Sequence, residues 1–451
     1  MIGRVLIAGG AGDLTGRYLL PALADLHEAG RLDPGLGVVG LGRHEWDDHT
    51  YRDWAAARLG EHRPALGAGV RDALLRRLTW RRGDATDPQR MRQLLHESDR
   101  PAVVYLALPP AVYAPAVDAL RQAAPVEGSR LVVEKPFGTD LDSARDLNRR
   151  IAGVLPERAV FRVDHFLAMQ TVQNLLGLRF GNRLFEPVWN QVHVQRVDIV
   201  FEETLGLEGR AGFYDQTGAL RDMLQNHLLQ LLALVAMEPP AGMTEADLRD
   251  RKADVLRATG VPDPARSIRA RYTAGEAGGR DLPDYTDEAG VDPARGTETF
   301  AEVSFAVDNW RWAGVPFVLR SGKALGADRT ELVLQFRPVP HTPFARVPRP
   351  NVLRIGLGPD RIGLGVNLNG GGGPSDLEPA ELTLDLVPPD LPAYARLLLD
   401  ILDGDPTLAI RADEAEQSWR IVEPVLAAWR AGQVPLRTYP AGSGGPKRHR
   451  S

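Results

Sequence analysis

Three places in the 451-residue sequence carry side chains that could take up a proton or stand beside a hydride acceptor. Asp164-His165 sets a carboxylate next to an imidazole at the end of a strand candidate, 158–163. His227 follows Arg221-Asp222-Met223-Leu224-Gln225-Asn226 inside a long apolar segment, and Lys135 stands between Glu134 and Pro136. Removing a hydride from an alcohol carbon yields a carbonyl only if the hydroxyl proton leaves too, so this chemistry needs a base with a pKa near neutral. Histidine is such a base. Taken alone, a histidine on an apolar helix reads as a core residue and an aspartate at a strand end as a cap. The surrounding motifs decide between these readings.

Lys135 gains weight from composition. Of 54 basic residues only four are lysine (Lys135, Lys252, Lys323 and Lys447), so arginine is the default cation of this chain. A lysine kept against that bias suits a position that needs a compact point charge, which a planar guanidinium does not imitate.

The length predicts two or three domains, and 43% hydrophobic with 25% charged residues is the composition of a globular protein. The absence of cysteine excludes disulfides, cysteine nucleophiles and thiolate metal sites, and it fits a reducing compartment. No metal site is expected. A net charge of −5 argues against nucleic acid as a partner, and the arginines between 71 and 92 read as a solvated helix face. The longest apolar run, 228–237, is too short to span a bilayer, and the first eight residues leave no room for a signal peptide before Gly9. The expectation is a cytoplasmic protein with no membrane partner.

The elements that must position the three sites alternate between strand and helix. Residues 4–8 form an apolar run, followed by Gly9-Gly10-Ala11-Gly12-Asp13-Leu14 and a helical pattern through Leu26. Strand, glycine turn and helix together form a pyrophosphate cradle, with backbone N–H groups turned toward the anion. A second run, 36–42, ends at Arg43. At this strand end an arginine suits the 2′-phosphate of NADP, where an acidic residue would suit NAD. NADP is therefore the expected cofactor, with NAD as a weaker alternative. Strands near 78–82, 102–108 and 130–134 follow, with helices between them, and Asp87-Pro88 reads as an N-cap with proline at the first helical position. The strand at 130–134 stops at Lys135-Pro136, which can project the ammonium toward a cofactor crevice and is a candidate for a cis bond. Strand candidates 192–202, 298–306, 315–320, 330–336, 351–357 and 380–386 then follow largely without intervening helices, with helices at 391–403 and 412–430. This predicts an α/β Rossmann-like coenzyme domain at 1–164, an α+β domain with a large, mainly antiparallel sheet at 165–440, and a disordered tail at 441–451.

Gly9-x-x-Gly12-Asp13-Leu14, Tyr105-Leu-Ala-Leu-Pro109-Pro110, Glu134-Lys-Pro-Phe-Gly138, Arg162-Val-Asp-His165 and Arg221-Asp-x-x-Gln-Asn-His227 occur in the order seen in glucose-6-phosphate dehydrogenases. The chain resembles that family, and Gly322-Lys323-Ala324-Leu325 and Trp419-Arg420 extend the resemblance to about residue 430. The resemblance implies an enzyme of carbohydrate metabolism that oxidises C1 of a pyranose by hydride transfer to NADP, working as a homodimer or homotetramer. It implies His227 as general base, Asp164 as the group that polarises it, and Lys135 between sugar and nicotinamide. His165 would face the substrate phosphate, and Glu203, Asp222 and Lys323 would also bind the sugar. Gly9, Gly12, Asp13, Leu14, Arg43, Pro109 and Lys135 would hold the cofactor. Retention of Lys135, Asp164 and His227 favours catalysis over a non-catalytic nucleotide-binding paralogue acting as partner or regulator.

This sequence departs from the family at the phosphate clamp. After Asp-His the family has tyrosine, leucine, glycine, lysine and glutamate, whereas this chain has Phe166, Leu167, Ala168, Met169 and Gln170. Asp328 aligns where a basic substrate residue is common, with Arg329 next to it, and Gly358 aligns with a glutamine. The expectation is poor use of glucose 6-phosphate and preference for a neutral or amino sugar, because a phosphate desolvated against Phe and Met lacks donors.

Overall fold

A computed structural model describes residues 1–209, 211–344, 346–373 and 375–447. The chain divides into two compact units. One comprises Met1–Gln170, Ala241–Arg249 and Pro389–Glu416, and the other Thr171–Pro240, Asp250–Pro388 and Gln417–Ser451. The first unit thus differs from the expected division at 164/165 by recovering two later segments.

In the first unit, six parallel strands among the described residues lie in the order β3-β2-β1-β4-β5-β6. They are β1 (Arg4–Ala8), β2 (Gly37–Gly42), β3 (Leu78–Arg82), β4 (Ala102–Leu106), β5 (Arg130–Glu134) and β6 (Val160–Val163). The order reverses between β1 and β4, the switch point at which such sheets open a crevice beyond the strand ends. Val5, Ile7, Val38, Val103 and Val132 fill the core with Leu23 and, from the returning segment, Leu397–Leu399. Polar bonds tie that segment in. Arg130 donates to the Ile401 carbonyl (2.5 Å), Asn148 to Ala412 (3.0 Å), and Ile410 N–H to Arg162 O (2.9 Å). The expected N-cap is present: the Asp87 carboxylate accepts from Gln89 N (2.9 Å), with Pro88 opening the helix Pro88–Leu95.

The second unit is built on nine strands among the described residues, ordered β16-β15-β14-β13-β7-β12-β11-β8-β17. They are β7 (Val194–Glu202), β8 (Ile268–Thr273), β11 (Phe300–Ala306), β12 (Pro316–Gly322), β13 (Arg329–Phe336), β14 (Val352–Gly358), β15 (Asp360–Asn369), β16 (Leu377–Asp385) and β17 (Leu436–Pro440), with β9 (Gly275–Ala277) and β10 (Arg280–Leu282) as a separate hairpin. Only β7·β12 and β8·β17 pair in parallel, so the sheet is mainly antiparallel as expected.

A π-helix, Leu220–Leu228, packs against β7, β11 and β12 and continues as the helix Leu229–Ala236. Its entry is fixed by Gly218 at φ +71°, where a Cβ would fall 2.5 Å from Glu298 Oε1. Its exit is fixed by donors to carbonyls that a helix end leaves unpaired. Arg179 donates to Leu234, Val235 and Met237, Trp189 to Val235, and Trp312 to Ala236, all at 2.8–3.0 Å.

The expected disordered tail is corrected for 441–447. Ala441 N–H bonds Thr273 O (3.0 Å), Gly442 N–H bonds Ala324 O (2.9 Å), and Gly326 N–H bonds Ser443 O (2.9 Å). Gly442 has φ +78°, and a Cβ there would lie 1.9 Å from Glu276 O, so both its backbone conformation and its close packing require glycine. Residues 448–451 lie outside the described residues. Among the described residues no helix is long and apolar enough to cross a membrane.

Candidate active site

The glycine turn after β1 folds tightly onto β2: Gly9 and Gly10 N–H both bond Leu41 O (2.9 and 3.0 Å), and Gly12 N–H bonds Gly9 O (2.9 Å). Gly9 has φ +88°, and a Cβ there would sit 2.1 Å from Ala107 O; one on Gly10 would sit 2.6 Å from the Gly40 Cα. These two positions admit only glycine. Beyond the turn the chain winds as Thr15–Leu19 and then Leu20–Glu28, so a helix N-terminus faces the turn, as a pyrophosphate requires. Gly9, Gly12, Arg43 and Pro109 line one cavity of about 570 Å³, together with Asp84 and Thr86. The residues present therefore fit a dinucleotide. Asp13 and Leu14 are not among the residues lining that cavity: Asp13 is exposed, and Leu14 packs against the core.

Lys135 follows the last residue of β5, and its bond to Pro136 is cis. Beside it the Glu134 carboxylate accepts from Tyr105 Oη (2.6 Å). Burial pushes the Glu134 carboxyl up to about 7, against the lowering effects of the Tyr105 bond and the Lys135 charge. Asp164 is buried at the end of β6, where its Oδ1 accepts from Phe166 N (3.0 Å) as the cap of a 3-10 turn, His165–Ala168. The His165 ring lies nearly parallel to Tyr394 (5.5 Å, 17°), and Tyr394 stacks in turn on Tyr18 (4.8 Å).

In the second unit Glu203, just past β7, pairs with Lys323, just past β12 (2.6 Å). The strands are in register there, Gly322 opposite Glu202, and Glu203 N–H bonds Gly322 O (2.9 Å). Lys323 is further held by Tyr439 Oη, which donates to its carbonyl (2.6 Å), and its Nζ lies 5.4 Å from the centre of the Tyr214 ring. The Tyr214 phenol is held well above its ordinary range, by burial first and then by the Asp222 charge. Asp222 and His227 both belong to the π-helix Leu220–Leu228; His227 is 1% exposed, and its backbone N–H donates to Asn226 Oδ1 (2.6 Å). Single π-turns recur at functional sites because they re-aim side chains against the α-helical period.

The family model described as glucose-6-phosphate dehydrogenase, NAD binding domain, matches residues 6–174, and the one described as the C-terminal domain matches 176–451. The chain belongs to the glucose-6-phosphate dehydrogenase family. It is thus an oxidoreductase with a nicotinamide-nucleotide-binding domain. It is 40% identical to glucose-6-phosphate 1-dehydrogenase of Treponema pallidum (strain Nichols) over 98% of this chain and 92% of that one. Among solved structures it is similar to glucose-6-phosphate 1-dehydrogenase from Mycobacterium avium (36% identity, TM-score 0.89, 99% and 95% coverage). It is also similar to a glucose-6-phosphate dehydrogenase in complex with its substrate glucose-6-phosphate (32%, TM-score 0.92, 99% and 96%).

Against this glucose-6-phosphate dehydrogenase background, Phe166 is buried, and Asp328 has a local task. Asp328 Oδ1 accepts from Thr204 N (2.6 Å) and Oγ1 (3.0 Å), fastening the segment after Glu203. Arg329 is occupied by Glu331 (3.1 Å) and Glu202 (3.5 Å). Sequence reasoning missed Tyr105, Tyr214 and Tyr394. Of these only Tyr105 carried a signal, as the first residue of a quoted motif.

Proposed function

We propose that the protein oxidises the C1 hydroxyl of glucose 6-phosphate to the lactone with NADP as hydride acceptor. The observation that carries this reading is the near full-length similarity to a structure solved with glucose 6-phosphate, with Lys135, Asp164 and His227 all retained. NADP, when bound, supplies the electrophilic nicotinamide carbon that receives the C1 hydride. The chain's own residues manage the rest. His227 accepts the C1 hydroxyl proton as the C1–H bond breaks, and Asp164 stabilises the resulting imidazolium. Glu203, Asp222 and Lys323 orient the sugar hydroxyls, and Lys135 supplies a fixed positive charge beside the reacting carbon. His165 meets the C6 substituent. The glycine turn, with Pro109 and Arg43, holds the dinucleotide, and Arg43 meets the 2′-phosphate.

A second copy of the chain is the partner we propose. The outer strands β15 and β16 carry Leu368, Leu382 and Leu384 more than half exposed, apolar surface that a homodimer would cover.

A second reading concerns only C6. Phe166 and Met169 offer no donor where the family has a phenol and an ammonium, which favours a sugar without the phosphate. One experiment addresses both: purified protein assayed by reduced-nicotinamide absorbance with NADP or NAD against glucose 6-phosphate, glucose and glucosamine. Turnover of glucose 6-phosphate with kcat/KM of order 10⁴–10⁶ M⁻¹s⁻¹ supports the first reading. A preference for an unphosphorylated sugar supports the second, and no turnover of any sugar overturns both.

A further inference from the structure

The second unit contains another cavity, of about 660 Å³, at the start of the π-helix. Among the described residues four guanidinium groups line it, those of Arg221, Arg269, Arg295 and Arg430, against two carboxylates, Asp215 and Glu298. That leaves a surplus of two positive charges in a protein whose net charge is −5. The carboxylates already have partners. Asp215 is 2% exposed and accepts from Tyr285 Oη (2.7 Å), Asp292 N (3.0 Å) and Arg295 (3.2 Å). Glu298 accepts from Leu220 N (3.0 Å); burial raises its pKa, against the lowering effect of the nearby Arg221 and Arg269 charges.

The arginines are much less fully matched. Arg221 spends Nη1 on the Gln216 and Thr217 carbonyls (3.1 and 3.4 Å), while its Nε is buried with no hydrogen-bond partner among the described residues. Arg269 gives Nε to Val434 O (2.9 Å), and its guanidinium carbon lies 5.8 Å from the centre of the Trp429 ring. Neither forms an ion pair among the described residues. A buried donor without an acceptor is unfavourable, as are four guanidinium groups sharing two carboxylates, and an oxyanion of charge near −2 relieves both at once.

We propose that this cavity is a second ligand site, separate from the sugar and nucleotide residues, for a compact phosphate-bearing anion. Arg221 and Asp222 are adjacent in the π-helix that also carries His227, so occupancy on the arginine side bears directly on the segment that orients the sugar. The binding claim itself does not rest on the proposed reaction.

The test is isothermal titration with inorganic pyrophosphate at constant ionic strength, on the wild type and on Arg430→Glu. Arg430 is exposed, so this change reverses a lining charge with little risk to folding, which circular dichroism checks. Loss of one charge-assisted contact weakens binding by about tenfold to a hundredfold. The expected result is a pyrophosphate site that weakens by that factor in Arg430→Glu and disappears in Arg269→Gln with Arg430→Glu. Pyrophosphate should shift the KM for sugar in the wild type and leave it unchanged in the double variant. Equal pyrophosphate binding by wild type and double variant, or no binding by the wild type at millimolar pyrophosphate, would overturn the proposal. A failure of the sugar assay with this binding intact would count against the reaction and not against the site.

Discussion

At the cavity beyond the glycine turn the chain contributes chiefly backbone and the absence of side chains, whereas the cluster proposed to meet the sugar consists of charged groups. Gly9 and Gly10 are shaped by what cannot be there, since a Cβ at either would meet main-chain atoms at 2.1 and 2.6 Å. Glu203, Lys323 and Asp222 depend on distant partners, among them Tyr439 holding the Lys323 carbonyl and Tyr214 beneath its ammonium. A steric cradle tolerates chemical change around it and no added carbon. A charged cluster tolerates volume change and no loss of a partner.

The contrast is most severely tested at His227. His227→Asn keeps the site's volume and removes the proton acceptor, so kcat should fall by about 10²–10⁴ with cofactor affinity intact. Near wild-type turnover would dissolve the assignment. Next is the C6 end: Phe166→Tyr with Met169→Lys adds a hydroxyl and an ammonium. Steady-state kinetics should show kcat/KM for glucose 6-phosphate rising by about tenfold to a hundredfold relative to glucose. No change would mean that other donors already meet the phosphate. On the nucleotide side, Arg43 is an exposed charge on a rigid cradle, and Arg43→Ala should raise the NADP KM by about tenfold and the NAD KM by much less. Equal effects would remove Arg43 from the ribose.

The smallest effect expected is at Glu134. Its folded-state pKa, about 7, lies above that of an unfolded glutamate. The stability contributed by the protonated form is therefore fully present below about pH 4.3 and is lost as pH rises through about 7. Glu134→Gln should remove that loss, so the gap in thermal midpoint between variant and wild type should widen in the variant's favour from pH 5 to pH 8. A pH-independent gap would show that Glu134 does not change protonation on unfolding.

The first sheet was legible because parallel strands covered on both faces read as short apolar runs, each ended by glycine, proline or a cap such as Asp87. β8, Ile-Arg-Ala-Arg-Tyr-Thr, was not, since its arginines interrupt the run, and β17 lay next to a glycine-rich stretch that resembles disorder. What distinguishes residues 441–447 from disorder is contact with Glu276, Ala324 and Gly326, which composition cannot register. The site divides the same way. Gly9 and Gly12 could be read from a strand-turn-helix pattern and Arg43 from the end of the next strand, while Pro109 came through the resemblance; all four meet at one cavity. The Glu203–Lys323 pair spans 120 residues, so no local spacing rule reaches it; the family resemblance implied a sugar-facing role for each residue and not their pairing.

The return of residues 389–416 to the first unit has a consequence for biosynthesis. Strands β1 to β6 have all been made by residue 163, yet Leu397–Leu399 and Ile401, which complete their core, and the Ile401, Ile410 and Ala412 backbone groups that bond Arg130, Arg162 and Asn148 are still to come. At a translation rate of about 5–20 residues per second, the nascent nucleotide-binding half waits roughly 10–50 seconds for them. During that interval an apolar flank stands open. The chain's most exposed moment before chaperones and proteases therefore falls in the middle of its synthesis, and it closes only when the returning helix leaves the ribosome.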